Sequence, residues 1–183
     1  KKTHSQDVYS EKAGCGLVGK DFSEKLDQPR CAEGLGKDCV SSGWGKPLTF
    51  RMNLPNGRYR MWAVTGGAIS WSWPRKPYTV NVNGEAVFTP EPKSLVKREA
   101  ADYLGRGYSK NADLWEMLVK GQLFDEFETL ITVADGKLEL TVENKAGEGM
   151  LRALAVWPEG NAACDEAMKQ VQVERKAKFN KQW

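Results

Sequence analysis

Between residues 48 and 157 the chain alternates. Leu48-Thr49-Phe50-Arg51-Met52-Asn53-Leu54 switches between apolar and polar at each step, which is the period of a strand with one buried face. Pro55-Asn56-Gly57 supplies a turn, since glycine takes positive φ without steric penalty. Tyr59, Met61 and Ala63 then continue one face of the next strand, with Arg60, Trp62 and Val64 on the other. Tyr78, Val80 and Val82 alternate again. Asn83-Gly84 is a strong hairpin signal, with residues 86–88 as the return strand. Asp135-Gly136, another favoured two-residue turn, predicts a second hairpin between residues 128–134 and 137–143, and residues 150–157 form the closing strand. Strands linked this way, without regularly interleaved helices, predict an all-β chain: a β-sandwich or jelly roll.

The flanks differ in character. Residues 1–47 are rich in Gly, Lys, Asp and Ser and lack a sustained period, so an irregular lead-in packed on the domain is expected, with one short strand around 15–18. Between the strands, Pro90 and Pro92 open an excursion at about 90–125, with short helices expected over 95–104 and 113–119 and Asp113 as the cap of the second. Residues 165–179 contain neither Gly nor Pro and favour a charged helix, with Met168, Val171 and Phe179 as a thin docking stripe. Its Glu166 and Lys169, and Glu174 and Lys178, are spaced for intrahelical pairs, which favours a solvated helix over a nucleic-acid or membrane role. At 183 residues the chain is sized for one domain. The expected division is lead-in 1–47, sandwich 48–158 and C-terminal helix 159–183.

Several function classes are disfavoured at once. With 27 Lys and Arg against 24 Asp and Glu, basic residues are scattered except in the tail, whereas nucleic-acid binding needs them gathered on one face. No apolar run reaches the roughly 20 residues of a bilayer span. One terminal histidine, His4, argues against His-dependent triads, and no G-x-S-x-G, P-loop or H-E-x-x-H motif occurs. The acids Asp125, Glu126 and Glu128 read as solvated groups before a strand. No catalytic or metal-ligating residue is assigned. A structural Ca²⁺ would find oxygen ligands such as Asp135 and Glu143, without the clustering of an ion loop. Cys15, Cys31, Cys39 and Cys164 lack zinc spacing and read better as disulfide candidates, a bridge stapling the lead-in to the body. Such bridges would place the chain outside the cytoplasm. It starts Lys1-Lys2-Thr3 with no signal-like segment and reads as a mature product or, the favoured expectation, a piece of a longer polypeptide.

The aromatic residues are the most informative. Phe50, Tyr59, Tyr78, Phe127 and Trp157 fall on alternating apolar faces and are expected in the core. Trp71 and Trp73 stand one residue apart in a loop, flanked by Ser70, Ser72 and Pro74, where burying both rings is difficult. A sugar presents an apolar C–H face rimmed by hydroxyls, so a flat aromatic surface beside Arg75 and Asn81, aided by Tyr108 and Trp115, describes a saccharide site. An equal alternative is that these rings plug a cap made with Tyr108 or Trp115. Trp44, in Gly43-Trp44-Gly45, and Trp62 are open to either reading.

At "LPNGRYRMWAVTGG", "YTVNVNG", "DLWEMLVKGQLFDEFETLITVADGKLELTVEN" and "LRALAVWP" the chain resembles the malectin-like and galactose-binding-like jelly-roll modules appended to bacterial polysaccharide-degrading enzymes. The resemblance spans about residues 48–158. It implies a two-sheet sandwich without catalysis of its own, without cofactor, that binds an oligo- or polysaccharide or braces a catalytic domain in the same polypeptide. Arg152 stands where that group has Asn before Ala-Leu, and the two-Trp loop is unlike its usual one, so no ligand residue transfers. The expectation is a non-catalytic, extracytoplasmic carbohydrate-binding module. Its rivals are a structural or protein-interaction sandwich and, more remotely, a hydrolase or lyase.

Overall fold

A computed structural model describes residues 6–25, 38–66, 77–90, 113, 115–116, 119 and 125–182. Among the described residues, ten strands and one helix follow in order: β1 (Cys15–Leu17), β2 (Ser23–Lys25), β3 (Cys39–Ser41), β4 (Leu48–Asn53), β5 (Gly57–Thr65), β6 (Thr79–Val82), β7 (Glu85–Phe88), β8 (Asp125–Val133), β9 (Lys137–Glu143), β10 (Met150–Pro158) and α1 (Ala162–Gln182). They form two five-stranded sheets, sheet A in the order β1-β4-β9-β6-β7 and sheet B in the order β2-β3-β10-β5-β8. All neighbouring strands are antiparallel. The architecture is an all-β sandwich with a C-terminal helix, and the lead-in supplies β1, β2 and β3 rather than the single short strand expected.

Alternation determines the packing. Leu48 and Phe50 of β4, Val80 and Val82 of β6, and Leu138, Leu140 and Val142 of β9 meet Tyr59 and Met61 of β5 and Ile131 and Val133 of β8 in the core between the sheets. Tyr78 is buried there too, and Phe127 packs at its margin, stacked on Phe88 with centroids 4.2 Å apart. β5 loses its alternation after Arg60, because both of its faces are covered. Trp62 and Val64 point away from sheet A into a second cluster, with Trp115, Val119, Trp157 and Phe179. Trp157 is thus core under α1, not core between the sheets. Ala153 and Ala155 complete that face of β10, and their small side chains let the helix approach.

α1 starts earlier than the expected helix because Asn161 caps it: Cys164 N donates to Asn161 Oδ1 (3.2 Å) and Asp165 N to Asn161 O (3.0 Å). Its docking stripe is Cys164, Met168, Arg175 and Phe179. The expected Val171 lies to one side, 38% exposed. A step of four from Met168 reaches Gln172, which is the side that faces the sheet. Arg175, 5% exposed, takes the centre of the stripe. Its guanidinium lies 5.3 Å from the centroids of both Trp62 and Trp115 and donates to Glu126 Oε1 (3.2 Å), which also accepts from Trp62 Nε1 (2.9 Å). Asp113 caps its short turn as expected, accepting from Trp115 N and Glu116 N, and binds Lys176 Nζ of α1 at 2.6 Å. The helix expected at 95–104 lies outside the described residues.

Two expected pairings are not made. β8 and β9 belong to different sheets, so Asp135-Gly136 turns the chain between layers and closes no hairpin. Pro55-Asn56 likewise passes from β4 in sheet A to β5 in sheet B. The two crossings brace each other, Gly136 N donating to Asn56 Oδ1 (2.7 Å) and Leu54 N to Gly136 O (3.0 Å). Of these three turns, Asn83-Gly84, with φ of 50° and 85°, is the one that closes a hairpin, β6 to β7. The expected disulfide staple is also not made: among the described residues, Cys15, Cys39 and Cys164 are not bridged. Cys15 packs against the core between the sheets and Cys164 under α1, so sheet B stands between them. Cys31 lies outside the described residues.

Candidate functional site

The register sorts the connections by end. Thr65 stands opposite Asp125 and Leu151, Thr79 opposite Glu143, and Met150 opposite Ser41. The strand ends at Ser41 and Leu48, Thr65 and Thr79, Phe88 and Asp125, and Glu143 and Met150 therefore all lie at one end, while the crossings at 54–56 and 134–136 and the hairpin at Asn83-Gly84 lie at the other. Ser42 N and Gly66 N donate to the adjacent carbonyls of Gly149 (3.0 Å) and Met150 (3.2 Å), which ties the two neighbouring loops to the start of β10.

A buried polar knot forms the base of this end. Thr65, Tyr78 and Asp125 are 0%, 4% and 4% exposed. The Tyr78 hydroxyl donates to Asp125 Oδ2 (2.6 Å), so its proton is committed and the Thr65 hydroxyl is the donor in the 2.9 Å contact between them. Gly66, at φ 78°, passes so close that a Cβ there would lie 2.9 Å from the Tyr78 hydroxyl and 3.1 Å from Asp125 Oδ2. Arg152 Nε donates to Gly66 O (2.8 Å). The knot fixes Gly66 and Tyr78, between which the chain carries Trp71, Trp73 and Arg75, and Asp125, to which the excursion with Tyr108 returns. Those four residues lie outside the described ones. Pattern reading missed the knot because Thr65 and Asp125 become neighbours only when β5 pairs with β8.

Among the described residues, Trp44 is the large aromatic exposed here, at 69% of its surface. Its turn is held firmly: Ser42, 3% exposed, donates to Lys46 O (2.7 Å) and accepts from Gly149 N (2.9 Å), Lys46 N donates to Gly43 O (3.1 Å), and Gly45 N to Gly147 O (2.8 Å). Gly149 is required, since a Cβ would sit 2.5 Å from Val142 O. Gly43 and Gly45 bring no side chains to cover the ring. Lys46, on the same turn, pairs with Asp21 at 3.5 Å. The result is an exposed indole on a firmly held turn, which can stack on an apolar face.

The other expected contacts are placed elsewhere. Trp115 is 2% exposed, its ring edge-on to Phe179 at 5.6 Å and its face toward solvent closed by Arg175 and α1. Asn81 stands opposite Thr141 on the outward face of sheet A, away from the loop end. That face is a self-satisfied polar ladder: Thr49 meets Thr141 (3.1 Å), Arg51 is paired with Glu139 through Nε (2.9 Å) and Nη2, and Lys137 donates to Glu11 (2.7 Å). The hydrogen bond from Lys137 holds the Glu11 carboxyl below its usual range and raises Lys137 in turn. Asp135 and Glu143 flank opposite ends of β9, on the order of 25 Å apart along an extended strand. Among the described residues, no group of His, Cys, Asp and Glu comes together as a metal site, and no helix is long and apolar enough to cross a membrane.

No protein-family model and no curated protein matches the chain. Solved structures do match. The YxiM protein of Bacillus subtilis superposes with a TM-score of 0.54 at 21% identity, covering 85% of this chain and 35% of that one. A β-glucuronidase of Bacteroides uniformis superposes with a TM-score of 0.51 at 14% identity, covering 83% of this chain and 15% of the enzyme. At these identities the likeness is one of fold. The chain spans about a third of the first protein and a smaller part of the second.

Proposed function

We propose that the chain is a non-catalytic carbohydrate-binding module of jelly-roll type, of the malectin-like or galactose-binding-like kind, and works outside the cytoplasm as part of a larger polysaccharide-processing or cell-surface protein. The observation that carries this reading is Trp44: an indole 69% exposed on a turn anchored by a buried serine, at the end of the sandwich where β3, β5, β7 and β9 finish. Trp71, Trp73 and Arg75, on the segment between Gly66 and Tyr78, are the proposed companions. The Bacteroides enzyme with the same fold in one part of its chain is a β-glucuronidase, an enzyme of carbohydrate chemistry. Covering about 80 Å² of apolar indole and sugar surface is worth roughly 2 kcal/mol, or about thirtyfold in affinity.

Affinity electrophoresis in gels containing neutral or acidic polysaccharides, together with a glycan array, tests the reading. Retardation of the intact chain that is weakened by Trp44→Ala and by Trp71→Ala/Trp73→Ala is expected. A chain retained by no glycan removes the proposal and leaves the protein-interaction sandwich, with Trp44 as a partner anchor.

A further inference from the structure

A second constellation lies far from Trp44, on the outward face of sheet B toward the tight-turn end. α1 lies over that face and leaves a cleft of about 350 Å³, lined by Arg60, Trp62, Glu128, Trp157, Asp165 and Gln172 together with Lys169. Ligand pockets span roughly 300 to 1,000 Å³, so this one suits a single small ring. Its floor is preorganised. Arg60 Nη1 donates to Glu128 Oε1 (2.7 Å), and Trp157 Nε1 donates to Asp165 Oδ1 (2.7 Å). Arg60 Nε is buried without a hydrogen-bond acceptor, the nearest carboxylate oxygen being Asp165 Oδ1 at 3.6 Å.

What remains unengaged defines the ligand. Glu128 Oε2 and Asp165 Oδ2 are acceptors without a protein donor among the described residues, and Arg60 Nη2 and Gln172 Nε2 are donors without an acceptor there. Acceptors and donors are thus both present among the lining residues, beside the indoles of Trp62 and Trp157. A hydroxyl both donates and accepts, so neighbouring hydroxyls on one ring can satisfy such a set, whereas a carboxylate cannot donate and an ammonium cannot accept. Two cations, Arg60 and Lys169, face two carboxylates, Glu128 and Asp165, so the lining favours no net charge. An acidic sugar would add a negative charge to a lining whose two cations are already matched by two carboxylates.

We infer that the cleft between α1 and sheet B is a binding site for a neutral sugar residue, separate from the loop end. The inference rests on the reading of the chain as a glycan-binding module and adds a second position to it.

The test uses the full chain, with its indole N–H signals followed by NMR and assigned through single Trp→Phe variants. D-Galactose, D-glucose, D-mannose, D-xylose and L-rhamnose are titrated into the tens of millimolar, with D-glucuronate as the acidic arm. Trp62 and Trp157 signals are expected to move with at least one neutral sugar, and to do so equally in Trp44→Ala. Glu128→Ala should weaken that response about tenfold or more, since a hydrogen bond to a charged group is lost. Lys169→Phe, at an exposed helix position, should abolish it by filling the cleft. If only the Trp44 signal moves, the cleft is overturned while the glycan reading stands. Movement of Trp62 and Trp157 with glucuronate alone overturns the neutral ligand. A response unaffected by Glu128→Ala and Lys169→Phe overturns the site, and silence of every indole with every sugar overturns it together with the glycan reading.

Discussion

Arg175→Ala should be among the most damaging single changes on α1, and its size can be worked from the contacts. The Arg175 and Glu126 side chains are 6% and 13% exposed and 3.2 Å apart. Removing the guanidinium leaves Glu126 with one remaining donor, Trp62 Nε1 at 2.9 Å, in a site that water reaches poorly. Breaking a buried pair in this way costs about 3–5 kcal/mol. Partial rehydration of Glu126 places the expectation near the lower end, about 3 kcal/mol. The lost contacts with the Trp62 and Trp115 rings, about 0.5–2 kcal/mol in total, act on the same groups and are not simply added. For a chain of this length that is a fall in Tm of roughly 6–12 °C. Urea unfolding followed by tryptophan fluorescence measures it, and hydrogen exchange along α1 shows whether the helix undocks before the sandwich opens. Glu126→Gln keeps an acceptor for the Trp62 N–H but removes the charge, so Arg175→Met combined with Glu126→Gln should recover a large part of the loss. If Arg175→Ala falls within about 0.5 kcal/mol of the parent, or the two sites prove additive, the pair does not hold the helix.

Three further outcomes follow from the loop end and the surface. Gly66→Ala should destabilise by about 2 kcal/mol or more, because its φ of 78° is unfavourable for alanine and the new methyl would press on Tyr78 and Asp125; a Tm equal to the parent's would refute the knot as drawn. Trp44→Ala should leave Tm unchanged, within about 0.5 kcal/mol, so that any loss of glycan binding is a loss of contact and not of folding. Acid should loosen the surface tethers: hydrogen bonds from Lys176 and Lys137 lower Asp113 and Glu11 respectively. Their contribution is therefore complete above the unfolded carboxylate values of about 4 and is lost as pH falls through the lower native values. Urea midpoints at about pH 5 and about pH 3 should differ less in Lys176→Ala and Lys137→Ala than in the parent, and equal differences would show that these pairs are not linked to folding.

The strands were legible and, apart from the β6–β7 hairpin, their partners were not, for a reason visible at Asp135-Gly136 and Pro55-Asn56. Alternation reports which face of a segment is buried, and Asn-Gly or Asp-Gly reports that the backbone reverses there. Neither reports whether the returning strand lies beside its predecessor or across the core from it. Asn83-Gly84 closes a hairpin because both of its residues adopt the left-handed conformation. The other two turns send the chain into the opposite sheet and are stabilised by each other, through Asn56 and Gly136, a contact between residues eighty positions apart that no local window contains. The helix stripe failed in the same way: Met168, Val171 and Phe179 make the expected stripe, but the sheet is met by Cys164, Met168, Arg175 and Phe179, because a largely covered carboxylate on β8 makes an arginine the better centre.

That carboxylate also explains why the site was only partly readable. Pattern reading treats Asp125, Glu126 and Glu128 as one solvated run before a strand. Pairing with β5 sends them to three different tasks: Asp125 into the knot with Tyr78, Glu126 under Arg175 and Glu128 onto Arg60. Successive residues of a strand face opposite sides, so Asp125 looks toward sheet A while Glu126 and Glu128 look toward α1. One acidic stretch thereby anchors the base of the loop end, the docking of the helix and the floor of the cleft. A substitution at Glu126 should therefore reach Trp62 and the cleft before it reaches Trp44, whereas one at Asp125 should do the reverse. Comparing the indole N–H signals of Glu126→Gln and Asp125→Asn is expected to show that division, and identical patterns of change in the two variants would refute it.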